Sequence, residues 1–497
     1  MPRTKFLFVL FDGLRRDMIR PDLMPNLHRF RAGSCDYPNS ASAFPSETRV
    51  QVSSFVTGAY CGGASLPEGA NAGAGHGIMA NAFYDPALGY DGPMDTSDTA
   101  RMMQAKGIYG RLQKAENLGE IIARAGKKYA VLTTGKIGNA RLLNVDAAAL
   151  DQPLFSIWGA DVSSPTANHQ AIIERFGPVP AQTYPNTAVA EYATTVLLEH
   201  MIPVHDADVQ VIWYNEPDLS YHYKGIGSPE SDIAVRSVDT GFGRILDWWE
   251  AEGRASGWQI IAASDHAQIT VTKHINVIDA LNDAGFRAGQ AVSDAVDVAV
   301  KRSSSGQITV RDRDPALVAK VLGFLQEQTW CGLTFTRGGG DGALSMAVIN
   351  ALNERSPDIN YILRSSDGVN AFGYPGTCIA DNADIPIGGG IHGGLQKTEI
   401  NNLLVIGGDR ICRATVHEVP TSIVDITPTM LHGLGITMPD TAMGRALIEA
   451  FDEGGQQPAW RERTERATAN GYDQEMVVAD IERGGRAAYL RGGRRIT

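Results

Sequence analysis

The chain alternates short apolar runs with longer amphipathic segments, as expected where strands and helices follow one another in an α/β protein. The apolar runs are nearly continuous, which is typical of parallel strands covered on both faces. The runs predicted as strands are KFLFVLF (5–11), YAVLTT (129–134), VQVIWY (209–214), WQIIAAS (258–264) and NNLLVIGG (401–408). Residues 188–201 and 231–251 have apolar positions at helical spacing and predict helices. We therefore expect a largely parallel central sheet sandwiched by helices.

Three regions depart from this alternation of apolar runs and amphipathic segments, and they predict the domain organisation. Residues 59–76 are small and rich in glycine, which predicts a long loop. Residues 284–387 carry their own pattern of strands and a helix, in QITVRD, DPALVAKVLGFLQEQ, LTFTR and INYILRSS. From residue 451 the chain becomes polar and ends in the basic stretch RAAYLRGGRRIT. The predicted units are a core in two parts (1–283 and 388–450), an inserted αβ cap domain (284–387) and a polar C-terminal extension (451–497).

Composition limits the partners of the chain. A formal net charge of −12 argues against a nucleic-acid-binding surface, which would be basic. It does not exclude anionic substrates, because bound metal ions can reverse the local field in an acidic protein. The five cysteines are scattered and never form a CxxC pair, which favours reduced thiols in a cytosolic protein.

The first apolar run resembles a secretion signal only superficially. FLFVLF is short, and Asp12 and the charged LRRD follow it where a cleavage site of small residues would be needed. Across the chain, no apolar stretch approaches the length that a membrane span requires. The sequence therefore predicts a buried first strand and a cytoplasmic protein without a membrane partner.

Acidic and imidazole side chains follow the ends of the predicted strands. Asp12 ends the first strand, Asp218 and His222 follow VQVIWY, and Asp265 and His266 follow WQIIAAS. His392 lies in the glycine-rich turn GGGIHGG that precedes NNLLVIGG. Open parallel sheets bind ligands at the carboxyl ends of their strands. We expect these six side chains to meet at one edge of the sheet.

The residue types indicate metal ions. Asp218 and His222 are four residues apart, so a helix after Pro217 would place both on one face. Each pair alone is weak evidence, because aspartate commonly caps helices. Imidazole and carboxylate together suit zinc, with manganese or iron less favoured. Three carboxylates and three imidazoles are too many for one tetrahedral ion, which predicts a two-metal site for in-line displacement at phosphorus.

A nucleophile for such a site is offered by AFPSETRVQVSSFVTG (43–58). Ser46 and Thr48 both lie at the start of an amphipathic stretch, where the ordinary role of a hydroxyl is to cap the helix. The N-terminus of a helix is also where backbone N–H groups can hold a phosphoryl oxygen. On this stretch alone, either hydroxyl could be structural or chemical.

The order of these motifs resembles a known family. Asp12, PSET, HGIMAN (76–81), YNEPDLSYH (214–222), SDH (264–266) and GGGIHGG (388–394) follow one another as in the nucleotide pyrophosphatase/phosphodiesterase branch of the alkaline phosphatase superfamily. The resemblance runs from residue 5 to about residue 440, interrupted by the glycine-rich loop and the inserted domain. It implies an alkaline-phosphatase-like core and a hydrolase of phosphoric esters, above all a phosphodiesterase for a small anionic substrate.

The resemblance also implies roles for individual residues. Thr48 matches the nucleophile, which would form a phosphothreonine intermediate, whereas Ser46 matches a non-catalytic position. One zinc ion would be held by Asp218, His222 and His392. The other would be held by Asp12, Asp265 and His266, together with Thr48. Asn81 matches an amide that donates to a phosphoryl oxygen beside the backbone N–H of Arg49.

Two positions depart from the family pattern. Arg49 stands where family members that hydrolyse nucleotides usually carry an aromatic residue. It would either bind a charged substrate or point to solvent as an ordinary helix residue. Ala267 stands where the family has glycine after SDH, a change that we expect the fold to tolerate with a slight shift of the second metal.

Other functions are less well supported by the sequence. A phosphonate hydrolase resembling phosphonoacetate hydrolase would use lysines after a strand, and TTGKIGN (133–139) offers Lys136 as a substrate-binding residue. A phosphomonoesterase of the same superfamily also remains open. Ala43 argues against a sulfatase, and the first strand lacks the GxGxxG of a Rossmann oxidoreductase. A non-catalytic binding protein would be expected to lack a ligand or the nucleophile.

Overall fold

The computed structural model describes residues 3–63, 75–89, 92–482 and 488–497, so most of the predicted glycine-rich loop (64–74) lies outside the described residues. The strands are β1 (Lys5–Phe11), β2 (Cys35–Asp36), β3 (Ser40–Ala41), β4 (Ala82–Phe83), β5 (Met94–Asp95), β6 (Tyr129–Thr133), β7 (Leu154–Ser156), β8 (Val209–Tyr214), β9 (Trp258–Ala263), β10 (Ile269–His274), β11 (Ala288–Gly289), β12 (Val298–Lys301), β13 (Ser305–Val310), β14 (Cys331–Thr336), β15 (Leu344–Ser345), β16 (Ile359–Leu363), β17 (Ser365–Val369), β18 (Pro375–Ala380), β19 (Gly390–Ile391), β20 (Leu404–Gly407), β21 (Thr415–Val416), β22 (Thr421–Ser422), β23 (Trp460–Ala469), β24 (Tyr472–Ile481) and β25 (Tyr489–Arg495). The α-helices are α1 (Pro25–Gly33), α2 (Thr48–Thr57), α3 (Thr99–Tyr109), α4 (Leu118–Arg124), α5 (Ile137–Leu143), α6 (Thr166–Phe176), α7 (Thr187–Val196), α8 (Ile202–His205), α9 (Asp218–Lys224), α10 (Pro229–Trp248), α11 (Val277–Asp283), α12 (Pro315–Glu327), α13 (Lys397–Ile400) and α14 (Ile426–Gly433).

A central sheet of eight strands has the spatial order β21-β2-β20-β9-β1-β8-β6-β7. β1 pairs in parallel with β8 and β9, and β6 pairs in parallel with β7 and β8. Every residue of β1, β8 and β9 is buried, as the continuous apolar runs predicted. The predicted α/β core with a largely parallel sheet is confirmed.

The prediction of a parallel strand at 401–408 is wrong. β20 pairs antiparallel with β9, with Leu404 opposite Ala263. A continuous apolar run indicates burial on both faces but carries no signal for strand direction. Because β20 is reversed, the segment that enters it, including His392, arrives at the edge where β1, β8 and β9 end.

Helices cover both faces of this sheet. On one face, Phe6, Phe8 and Leu10 of β1 share a hydrophobic cluster with residues of α2, α4, α5 and α14. On the other face, Leu7, Val9 and Phe11 share a cluster with α1, α7 and α10. Alternate residues of β1 therefore point into two separate cores, as the pleat of a strand requires. Among the described residues, no helix has the length and apolar character needed to cross a membrane.

The predicted inserted region contains a sheet with the order β11-β12-β13-β16-β14-β15. α12 packs on it and contributes Val321, Leu322 and Leu325 to a hydrophobic cluster of its own. The region is also joined to its surroundings, because β18 pairs with β10, a strand that follows β9. Residues Val277 and Leu281 of α11, which precede residue 284, belong to the same cluster as the inserted sheet.

The polar C-terminal extension forms a three-stranded antiparallel sheet, β23-β24-β25. Its inner face is apolar, since Met476, Val478 and Leu490 join the main core. Gln474 also accepts a hydrogen bond from the backbone N–H of Thr334 in β14 at 2.9 Å. β23 and β24 are joined by Asn470 and Gly471, both with positive φ. An Asn-Gly pair between alternating stretches is a hairpin signal that could have predicted these strands.

Candidate active site

The six side chains predicted to meet at the sheet edge do lie together. Asp12 follows β1, Asp218 begins α9 after β8, and Asp265 and His266 follow β9. His222 lies one turn after Asp218 on α9, as the spacing of four residues predicted. Asp12, Asp265, His266 and His392 are all buried, and Asp265 and His266 have no exposed surface. The reversed direction of β20 brings His392 to the same place.

Asp218, His222 and His392 form the first cluster. Asp218 Oδ1 lies 3.2 Å from His222 Nε2 and 3.4 Å from His392 Nε2. The other ring nitrogens are held by the backbone: His222 Nδ1 donates to the Gly390 carbonyl and His392 Nδ1 to the Ser46 carbonyl, each at 2.7 Å. These bonds direct both Nε2 atoms towards the carboxylate, which is how metal-ligating histidines are oriented.

Asp12, Asp218 and His266 form the second cluster, and Asp265 joins it through a contact with His266 Nε2. This atom lies 3.5 Å from Asp12 Oδ1 and 3.2 Å from Asp265 Oδ2. The other carboxylate oxygens are engaged, because Asp12 Oδ2 accepts from Trp213 Nε1 at 2.9 Å and Asp265 Oδ1 accepts from the Gly13 N–H at 3.0 Å. Asp12 Oδ1 and Asp265 Oδ2 are buried with no hydrogen-bond partner among the described residues. Buried anionic oxygens without donors are suited to a bound cation.

The pKa shifts of the residues in the two clusters are consistent with a site for a cation. Burial, followed by repulsion from Asp265 and Asp218, raises the pKa of the Asp12 carboxyl well above its usual value. Burial also raises the pKa of Asp265, to about 8, and lowers that of His266 to about 4. The pKa of Asp218 is lowered despite its burial, because His222, His392 and His266 surround it. A divalent cation between these groups would stabilise the ionised carboxylates and the neutral imidazoles.

Neither Ser46 nor Thr48 caps the helix that follows them. α2 begins at Thr48, and the residue before it, Glu47, makes no side-chain capping bond. Thr48 Oγ1 lies 3.2 Å from His266 Nε2 and therefore belongs to the second cluster. Ser46 Oγ donates to the Gly394 carbonyl and accepts from the Gly393 N–H. Ser46 thus braces the turn that carries His392, whereas the Thr48 hydroxyl is placed among the candidate ligands.

Arg49 is held in the wall of the site. Its side chain is only 11% exposed, and Nη1 forms an ion pair with Asp95 at 3.2 Å and donates to the Asn81 carbonyl at 3.1 Å. The alternative that Arg49 points to solvent is therefore wrong. The Arg49 backbone N–H donates to Asn81 Oδ1 at 3.1 Å. To accept a hydrogen bond from the Arg49 N–H, as the resemblance implies, a phosphoryl oxygen would have to displace Asn81 Oδ1.

Asp12, Asp218, His222 and His392 open into a cleft of about 200 Å³, and Thr48, Arg49, Asn81 and Lys136 also line it. Ala267 is buried and has no positive φ, so the structure accommodates this departure from glycine.

The cleft also contains residues that the sequence did not single out. Three aromatic side chains line it, and each is substantially exposed: Trp158 (42%), Tyr184 (48%) and Tyr223 (39%). Asn139 lines it as well, and neither atom of its buried side-chain amide has a hydrogen-bond partner among the described residues. Trp158 and Tyr184 come from connections without a motif, so no sequence pattern marked them.

A family model and several solved structures match this chain. The family model for type I phosphodiesterase / nucleotide pyrophosphatase matches residues 6–329. A search of curated proteins gives no match. Among solved structures, murine ectonucleotide pyrophosphatase / phosphodiesterase 5 superposes with a TM-score of 0.60 at 16% identity, covering 88% of this chain and 96% of its own. An inactive variant of that protein in complex with AMP gives a TM-score of 0.59 at 16% identity with the same coverage. The human protein gives 0.60 at 15% identity, covering 90% of this chain and 100% of its own.

Proposed function

Because this chain belongs to the type I phosphodiesterase/nucleotide pyrophosphatase family and is a hydrolase that acts on phosphoric ester bonds, we propose that it hydrolyses phosphodiesters with Thr48 as the nucleophile. The observation that carries this proposal is the position of Thr48 Oγ1. It lies at the N-terminus of α2, 3.2 Å from His266 Nε2. Backbone N–H groups at such a position favour a phosphoryl group.

We assign the two clusters as sites for two divalent cations. Asp218, His222 and His392 would hold one ion, and Asp12, Asp265 and His266 would hold the other beside Thr48. The fit is supported by the unpartnered oxygens Asp12 Oδ1 and Asp265 Oδ2. Imidazole and carboxylate ligands suit zinc best, and they are also compatible with manganese or iron. When bound, the ions supply Lewis-acid stabilisation of the charge on the phosphoryl oxygens.

The residues of the chain account for both steps of the reaction. Thr48 Oγ attacks phosphorus, its proton passes to solvent, and the bond from phosphorus to the leaving oxygen breaks. The leaving group departs as an alcohol after taking a proton from solvent. Water then attacks the phosphothreonine, releasing a phosphomonoester and restoring the Thr48 hydroxyl. Asn81 donates to a phosphoryl oxygen, and Arg49 and Lys136 contribute positive charge along the cleft.

A panel of chromogenic and simple substrates tests the proposed function. Purified protein supplied with zinc should hydrolyse bis(p-nitrophenyl) phosphate faster than p-nitrophenyl phosphate, and both faster than phosphonoacetate. The same measurements without added metal give the background. Release of phosphate from phosphonoacetate with no turnover of the diester would instead support the phosphonate hydrolase, and dominant turnover of the monoester would support a phosphomonoesterase.

Replacing Asn81 with alanine should lower kcat for the diester by roughly 10²–10³, the usual effect of removing one donor to a developing oxyanion. Steady-state kinetics with the chromogenic diester provides the measurement. Asn276→Ala is a suitable control, because Asn276 caps α11 and does not line the cleft. A wild-type rate in Asn81→Ala would remove Asn81 from the site.

A further inference from the structure

The start of α2 is tied to the inserted sheet by an ion pair. Lys301, the last residue of β12, pairs through Nζ with Glu47 Oε1. The Glu47 side chain is 4% exposed and that of Lys301 is 14% exposed. Lys301 Nζ also donates to the Ser305 carbonyl at 3.4 Å. Removing one partner of a buried pair leaves the other charge uncompensated, so the position of Glu47 depends on Lys301.

Glu47 connects this ion pair to the proposed phosphoryl site. Its second oxygen, Oε2, accepts from the Asn81 backbone N–H at 2.6 Å. Glu47 is also the residue directly before Thr48, where α2 begins. One carboxylate therefore contacts a lysine of the inserted sheet and the backbone of Asn81, and it belongs to the residue that precedes the nucleophile.

The same segment of the inserted region reaches the ligand His392. Ser304 is buried, and its Oγ donates to the His392 carbonyl at 2.7 Å. Lys301 and Ser304 thus contact the site on two sides. Ser304 contacts a candidate metal ligand, His392. Lys301 instead contacts Glu47, which is bonded to the Asn81 N–H and precedes Thr48.

We propose that Lys301 is a positioning residue for phosphoryl transfer: through Glu47, it holds Asn81 and the first turn of α2 in the geometry that the reaction needs. This inference rests on the proposed function of Thr48 and Asn81. Without the ammonium group, the buried Glu47 carboxylate loses its cation and no longer holds the Asn81 N–H in place. Displacements of about 1 Å in an active site can lower rates by about 10²-fold. The inserted region is then part of the catalytic apparatus.

The neighbouring residue provides a matched control. Arg302 forms an ion pair with the buried Asp381 at 2.7 Å, and Asp381 in turn accepts from the Val277 N–H. This pair resembles Lys301–Glu47 in joining a cation to a buried carboxylate, although Arg302 is more exposed than Lys301. Asp381 follows β18 and Val277 begins α11, so neither contact involves α2. Either substitution should lower stability, whereas only the substitution of Lys301 should also lower kcat.

The test compares Lys301→Met, Lys301→Arg and Arg302→Met with the wild type, using the best substrate of the panel. Lys301→Met should lower kcat roughly 10- to 100-fold with little change in KM and with metal content unchanged. Lys301→Arg should recover most of the rate, and Arg302→Met should lower Tm while keeping kcat. A wild-type kcat in Lys301→Met, an arginine variant as slow as the methionine variant, or loss of metal from Lys301→Met would overturn the proposal.

A double-mutant cycle with Glu47→Gln separates this role from the proposed function. If Lys301 acts through Glu47, the double variant Lys301→Met/Glu47→Gln should be no slower than the slower single variant. Losses that multiply would show that the two residues act independently and would overturn the inference. Failure of the proposed function would appear differently, as a wild-type enzyme that does not turn over phosphodiesters.

Discussion

Replacing Thr48 with alanine should abolish phosphodiester turnover while leaving metal binding largely intact. The substitution removes the proposed attacking oxygen but none of the imidazoles or carboxylates around it. Loss of a covalent nucleophile lowers kcat by on the order of 10⁴–10⁶. Steady-state kinetics and elemental analysis of the same preparation measure both effects. Acid quenching of wild-type turnover of bis(p-nitrophenyl) phosphate should trap a p-nitrophenyl phosphoryl group on the peptide that contains Thr48, detectable by mass spectrometry.

Ser46→Ala is the matched control for this prediction. It removes the bonds of Ser46 Oγ to Gly393 and Gly394, so a loss of about 1–3 kcal/mol in stability is expected, with far less effect on kcat. An inactive Ser46→Ala beside an active Thr48→Ala would show that the nucleophile has been assigned to the wrong hydroxyl.

Removing the metal should have the second large effect. Dialysis against a chelator should abolish activity, and added zinc should restore it, because the buried oxygens Asp12 Oδ1 and Asp265 Oδ2 have no hydrogen-bond donor among the described residues that could replace a cation. Elemental analysis of the native protein should find about two zinc ions per chain, the number expected for a two-metal phosphoryl-transfer site. Full activity in metal-free protein would contradict the proposed mechanism.

His392→Ala should retain about one metal ion per chain, because Asp12, Asp265 and His266 remain. His432→Ala is the control, since His432 lies on α14 and does not line the cleft. Retention of both ions in His392→Ala would remove His392 from the ligand set.

Much of the site was predictable because the sequence places its groups directly after strands. Asp12 follows β1, and Asp265 and His266 follow β9. Because these two strands are parallel, their carboxyl ends lie at the same edge of the sheet and bring the three side chains together. The spacing of Asp218 and His222 predicts their common helix face in the same way. These inferences need only local patterns and one rule about parallel sheets.

Features that depend on distant pairing could not be predicted. The direction of β20 is decided by its partner β9, since its apolar residues would suit either direction. Lys301 and Glu47 are 254 residues apart in the sequence, and nothing in either segment marks them as partners. The position of Arg49 in the sequence allowed its side chain either to bind substrate or to point to solvent. Its ion pair with Asp95 could be seen only in the structure.

The antiparallel pairing of β20 with β9 has a consequence for how the length of the chain between these strands can vary. The chain leaves the end of β9 and returns to the start of β20 at the same edge, and the segment between them carries Asp265 and His266 at its beginning and His392 near its end. For a flexible loop, each doubling of length costs only about 0.6 kcal/mol in closure entropy. The number of residues between β9 and β20 can therefore differ without changing the register of the central strands. Since Lys301 and Ser304 of this segment contact Glu47 and His392, a change in the length of the segment would reach the site through these two contacts while the candidate metal ligands stay the same.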